Sequence, residues 1–166
     1  MPWRELLGPL QPAPATTGLR DWYAKVVAQT GKRGPFALAV YGGRMAFTPG
    51  LAFLAGYQAA LRALWADAPE GIGALCATEN RKLRPADMTS RVRDMKLTGC
   101  KDFVTAGASA SWLLVPAREE AQGEPIRLEL IAVQADSAGV LLETGRQLSL
   151  IPDIPPCSLA SRAGLR

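Results

Sequence analysis

Leu75-Cys76-Ala77-Thr78-Glu79 and Gly99-Cys100-Lys101-Asp102-Phe103-Val104-Thr105-Ala106-Gly107 are the two stretches that decide the fold, and Ala110-Ser111-Trp112-Leu113-Leu114-Val115-Pro116-Ala117-Arg118 follows them closely. Each of the first two is a short apolar run ending in threonine before a polar residue or a turn, the pattern of a buried strand. Working outward, further β-prone runs lie at 91–97, 126–133 and 139–143, separated by Gly, Pro, Asp and Ser. Such spacing predicts a compact antiparallel sheet or barrel after residue 71.

Before Gly71 the texture is helical. Thr16 or Thr17 can cap a helix whose apolar face uses Leu19, Trp22, Tyr23, Val26 and Val27, and Gly31 and Gly34 supply its stop. Pro35–Val40 begins a second helix or a strand, with the Ala-rich composition up to Ala46 favouring helix. Thr48-Pro49 is a strong helix start, and the run from Gly50 to Ala66 is apolar nearly all round, as expected of a central helix. The expected division is a helical segment over 1–70, a β domain over 71–152 and an irregular tail over 153–166, an α+β chain overall.

The composition restricts the chemistry. The 166 residues include no histidine, which excludes a Ser-His-Asp triad, a Cys-His pair and His-ligated metal. Three cysteines, Cys76, Cys100 and Cys157, lie far apart with no CxxC pair, so reduced thiols are expected and no metal site. A 48% hydrophobic, 20% charged chain with a net charge of +4 reads as a globular domain, not a disordered one. The longest uncharged run, Met45 to Leu61, is shorter than the ~20 apolar residues of a spanning helix. No export signal is visible at the N-terminus, so no membrane partner and a cytoplasmic location are expected.

Four local patterns bear on function. Gly71-Ile72-Gly73-Ala74-Leu75-Cys76 begins like a dinucleotide loop but follows a helix and lacks the final glycine, so a helix-to-strand turn is the better reading. Gly107-Ala108-Ser109-Ala110-Ser111 is not a nucleophile elbow. Arg81, Lys82, Arg84, Arg91 and Arg93 could meet the phosphates of a nucleotide or coenzyme, although charge alone favours a solvated loop and strand face. Nucleic acid is not expected as a partner, because no aromatic residue interleaves with the cations between Asn80 and Lys101. Glu79 and Asp102 are possible bases by residue type, but a structural ion pair or a bond to backbone suits both better.

Taken in order, Cys76-Ala77-Thr78-Glu79, Leu97-Thr98-Gly99-Cys100-Lys101, Phe103-Val104-Thr105-Ala106-Gly107 and Ala110–Arg118 resemble the middle β-barrel domain of the acyl-CoA dehydrogenase family, and Phe53–Leu64 resembles the helix before it. The resemblance implies an N-terminal helical segment followed by a small antiparallel β-barrel that supports the isoalloxazine ring of FAD. It places Leu75, Ala77 and Thr78 on one side of the flavin and Phe103, Val104 and Thr105 on the other, with Phe103 and Val104 covering the ring face. It implies an acyl-CoA or related thioester as substrate and α,β-dehydrogenation as the chemistry. The family's Gly-rich loop after the Thr-Glu pair is replaced here by the bulky, basic Asn80–Asp87. The family's catalytic glutamate belongs to a C-terminal four-helix domain, and the tail Ile154–Arg166 carries no apolar helix. A short or truncated homologue with no catalytic residue of its own, inactive alone and prone to self-association, is therefore expected. The alternative is a non-enzymatic interaction module on the same barrel.

Overall fold

The structure is a computed structural model describing residues 7–10, 12–13, 18–81, 87–119 and 127–164. The expected cap at Thr16 or Thr17 lies outside these residues, as do Lys82 and Arg84. The chain divides into two compact units, Met1–Ile72 with Gln147–Ile154, and Gly73–Arg146 with Pro155–Arg166.

Among the described residues, the first unit is built on three helices of more than one turn, α1 (Leu19–Thr30), α2 (Pro35–Met45) and α3 (Pro49–Leu64). On α1, Trp22, Tyr23 and Val26 are buried, but Val27 turns outward and Leu19 is only half-buried, which narrows the expected apolar face. The Pro35 segment is a helix. α3 starts as its sequence predicts: Thr48 accepts a hydrogen bond from the Leu51 N–H at 3.3 Å, and Pro49 occupies the first turn. The Thr48 hydroxyl also donates to Asp153 at 2.5 Å, bringing the 147–154 segment to the start of the helix.

α3 is not central all round, as its composition suggested. Leu51, Leu54, Ala55, Gln58 and Leu61 are buried, whereas Phe53 and Leu64 are 45% and 62% exposed. Phe53 instead stacks on Tyr57, four residues along the same outer stripe, with ring centroids 6.0 Å apart. At Gly42, α2 comes so close to α3 that an added Cβ would run into the Ala55 side chain and touch Val26 of α1 at 3.2 Å. Arg62 secures the end of α3 by donating to the Tyr23 hydroxyl at 3.0 Å and to the carbonyls of Pro69 and Gly71.

The second unit is a seven-stranded sheet: β1 (Gly73–Leu75), β2 (Arg91–Arg93), β3 (Lys96–Val104), β4 (Trp112–Glu119), β5 (Arg127–Gln134), β6 (Val140–Thr144) and β7 (Cys157–Gly164). β4 pairs β5 antiparallel along its whole length, and its other edge takes β1 at one end and β2 at the other, both parallel. The order continues through β3 and β7 to β6.

The sheet is therefore mixed and open, which corrects the expected antiparallel barrel. β5 and β6 form its two edges and, among the described residues, do not pair with each other. Short apolar runs with turn residues between them look alike whether a hairpin or a longer crossover joins them, and only the latter permits parallel pairs.

Two further corrections concern strands. The expected strand 91–97 is two, joined by Asp94-Met95 with both residues at positive φ (50° and 56°), a two-residue hairpin turn of primed type. Residues 157–164, expected as irregular, are β7. Its alternation of buried Cys157, Leu159, Ser161 and Ala163 with more exposed neighbours is that of a strand, hidden by residues with little intrinsic β preference. Val92, Leu97, Val104, Leu113, Val115, Ala117, Val133 and Leu159 form the core of this unit. Gly73 lacks a Cβ because the Trp112 indole occupies that space, which accounts for the second glycine of the Gly71-x-Gly73 pair without a nucleotide.

Candidate functional site

The two threonine-ended stretches meet. Thr78 and Phe103 form an antiparallel bridge, and the Asp102 N–H donates to the Thr78 carbonyl at 2.9 Å. At the bridge, the β3–β7 ladder shifts register between Lys101 and Val104. The irregularity leaves Asp102 and Phe103 both exposed between buried Lys101 and Val104, where regular alternation would bury one of them. The Asp102 carboxylate then accepts the Arg81 N–H at 2.7 Å, holding a turn whose Asn80 and Arg81 both sit at positive φ.

Under this surface lies a buried ion pair. Lys101 donates from Nζ to Glu79 at 2.6 Å and to the Pro116 carbonyl at 2.7 Å, and both charged side chains are almost fully enclosed (1% and 3% exposed). Glu79 also accepts the Thr89 N–H at 2.6 Å, the Thr89 hydroxyl at 2.8 Å and the Ser90 N–H at 3.2 Å. Burial pushes the carboxyl's pKa up, but the bonds from Lys101, Ser90 and Thr89 outweigh it and hold the group at about 2. A carboxylate so committed is a structural anchor and a poor base, as the sequence reading of Glu79 expected. Asp102 is likewise bound to backbone, as its sequence reading expected.

Cys76 adjoins this layer. Burial raises its thiol to about 12, opposed in part by the Lys101 charge and reinforced by Cys157, so it is not a nucleophile at neutral pH. The three cysteines are free, and no cluster among the described residues could hold a metal ion.

Of the residues predicted to face a flavin, Leu75, Ala77, Thr78 and Thr105 are half-buried and Phe103 is 42% exposed. The Thr78 and Thr105 hydroxyls have no partner among the described residues. Val104 differs: its side chain is fully buried in the core, so it cannot cover a ring face and has only its backbone to offer. An exposed aromatic side chain, small half-buried side chains and two uncommitted hydroxyls fit a planar ring with a polar edge. Sequence reasoning missed Thr89 and Ser90, whose bonds to Glu79 fix the site from a distant segment. The turn that bears Asn80 and Arg81 is described, but most of the basic loop after it lies outside the described residues.

No protein-family model matches the sequence, and no curated protein matches it significantly. Solved structures do match in fold. Glutaryl-CoA dehydrogenase from Mycobacterium smegmatis is 18% identical with a TM-score of 0.60, over 92% of this chain and 49% of its own. Butyryl-CoA dehydrogenase from Megasphaera elsdenii is 16% identical with a TM-score of 0.63, over 90% and 46%. An FAD-complexed acyl-CoA dehydrogenase from Bacillus anthracis is 18% identical with a TM-score of 0.61, over 89% and 30%.

The chain thus has an α+β fold shared with acyl-CoA dehydrogenases and related flavoproteins. It spans about half the length of the glutaryl-CoA and butyryl-CoA dehydrogenases it matches.

Proposed function

We propose that the chain is the flavin-supporting part of an acyl-CoA-dehydrogenase-like flavoprotein, and that the Thr78–Phe103 bridge is where it meets the isoalloxazine ring of FAD. The observation that carries this reading is that Thr78 and Phe103 bridge the two predicted stretches at a half-exposed place, with the Thr78 and Thr105 hydroxyls unbonded among the described residues. Bound there, FAD would supply the hydride acceptor for α,β-dehydrogenation of an acyl-CoA or related thioester. Phe103 would lie against the ring, Leu75 and Ala77 would exclude water from its border, and Thr78 and Thr105 would hydrogen-bond its polar edge. Val104 serves by keeping β3 in place.

None of these residues removes a proton. Glu79 is held at about 2 by its partners, and Asp102 is bound to the Arg81 N–H. The 166-residue chain alone should therefore show no dehydrogenase turnover, and it should bind FAD weakly. Titrating the purified chain with FAD while following the visible flavin bands tests the reading. A saturable spectral shift, lost in Thr105→Arg, is expected; an unchanged spectrum at high FAD overturns it, and turnover of butyryl-CoA overturns the inactivity.

A second reading, a flavin-free interaction module that self-associates, is favoured by the exposed apolar side chains of the helical unit, Phe36, Phe53 and Leu64. Concentration-dependent association without any flavin shift would select it.

A further inference from the structure

The outer face of the sheet carries an arrangement that the flavin reading does not use. Register places Arg118 of β4, Arg91 of β2, Thr98 of β3 and Arg162 of β7 in one row across four strands. Lys96 pairs Arg93 in the row beside it. Partners in register share a face of the sheet, and Val92, Leu97 and Ala163, one residue along, are buried on the opposite face.

Arg91, Arg93, Lys96 and Arg162 are exposed and Arg118 is half-buried. Arg93 lies 3.7 Å from Asp94 in a fully solvated pair. The other four have no carboxylate partner among the described residues. Asp102, on the same face, is bound to the Arg81 N–H, and Glu143 sits at the far end of β6. Four cations without a carboxylate partner among the described residues, on one face of the sheet, repel one another, which costs stability unless a partner offsets it.

The geometry also says what kind of partner. From Arg118 to Arg162 is three strand spacings, about 14 Å. A flat band that wide suits an extended anionic surface and not one phosphate in a concave pocket. Leucines flank the band on the same face: Leu128 pairs Arg118 and Leu130 pairs Pro116 on β5, and Leu141 pairs Ala160 on β6, each 45–56% exposed. Arginine among exposed apolar side chains is the composition of a protein interface, and the band holds no aromatic residue on which bases could stack.

We propose that this face docks an acidic protein partner, its carboxylates set against Arg91, Arg118, Arg162 and Lys96 and its apolar side chains against Leu128, Leu130 and Leu141. Arginine forks take carboxylates in pairs, and the edge of β5 beside the leucines, unpaired among the described residues, can accept main-chain hydrogen bonds from the same partner. The proposal is independent of flavin binding, since Phe103 and Thr78 lie at the opposite end of β3 from Lys96.

The test uses the full chain and a fluorescent peptide of alternating Glu-Leu segments, about 20 residues long, followed by anisotropy at low and moderate salt. Poly-glutamate, oligo-thymidylate and vesicles containing phosphatidylserine are titrated in parallel. The expected result is binding of the Glu-Leu peptide more tightly than poly-glutamate. It should weaken at least about tenfold in Arg91→Glu/Arg162→Glu and again in Leu128→Ser/Leu141→Ser, and steeply with salt. Exposed Cys100, on this face, should be shielded from alkylation by the bound peptide, while buried Cys76 and Cys157 do not react in either state. No peptide binding overturns the proposal, as does binding indifferent to these substitutions. Oligo-thymidylate binding that is tighter and independent of the leucines identifies a nucleic-acid face instead, and vesicle binding in place of peptide binding identifies a lipid face; either outcome overturns it. Each single substitution alone, checked for an unchanged thermal melt, serves if a double variant fails to fold.

Discussion

Replacing Lys101 by methionine removes the cation from the enclosed pair while leaving Glu79 charged and 3% exposed. Breaking a buried pair from one side costs about 3–5 kcal/mol, because the remaining charge has no compensation. Here Glu79 keeps three hydrogen bonds from Thr89 and Ser90, which moves the loss toward the lower end, while the Pro116 carbonyl loses its donor and adds about 1 kcal/mol. The expected total is about 4 kcal/mol, or a fall in Tm of about 8–16 °C for a chain of this length. Urea unfolding followed by tryptophan fluorescence measures it, since Trp112 lies in the core of the same unit. The paired variant Glu79→Gln/Lys101→Met keeps an acceptor for Thr89 and Ser90 but buries no charge, so it should recover roughly 2 kcal/mol relative to Lys101→Met alone. A Lys101→Met loss below about 1 kcal/mol, or a paired variant as unstable as the sum of its single changes, would refute the reasoning that a desolvated charge dominates here.

The same pair sets a pH window. The Glu79 carboxyl is depressed from 4.5 to about 2 in the folded state, so its contribution is complete above 4.5 and is lost as pH falls toward 2. Wild type should lose stability across that window, and Glu79→Gln should show a flatter profile in acid unfolding. Met95→Gly should stabilise by about 1 kcal/mol, because Met95 is exposed and sits at φ 56°, where a side chain is strained; an unchanged or lower urea midpoint would count against the primed turn. Gly42→Ala should cost about 1–3 kcal/mol or more, as the new methyl runs into Ala55 where α2 and α3 are closest. A neutral effect in thermal unfolding would show that the helices are not packed so tightly.

How much of this was legible beforehand depended on whether a residue's role is local. The α3 start at Thr48-Pro49 could be read directly, since a capping hydroxyl and a proline act within one turn. The strand cores around Leu75, Trp112 and Val133 could be read from their apolar runs. β7 could not, because Ser158, Ala160, Ser161 and Ala163 have no β preference of their own and are strand only by pairing with β3. The hairpin at Asp94-Met95 was hidden because methionine stands where glycine usually signals such a turn. Parallel pairing of β1 and β2 with β4 depends on long connections whose course leaves no local mark.

The candidate site divides in the same way. Thr78 and Phe103 stand out from sequence order and are bridged, and Glu79 and Asp102, expected in an ion pair or bound to backbone, are found so. The burial of Val104 was lost because the register shift after Lys101 breaks simple alternation. Thr89 and Ser90 are ten and eleven residues from the Glu79 they hold, with no spacing rule to connect them.

The central claim, that the Thr78–Phe103 surface receives the ring of FAD, is tested most directly by residue-resolved NMR of the isotope-labelled chain titrated with FAD. Saturable amide shifts confined to Ala77, Thr78, Phe103, Val104 and Thr105, with the largest ring-current shift at Phe103, are predicted. Shifts that fall elsewhere, or none at saturating FAD, would contradict it.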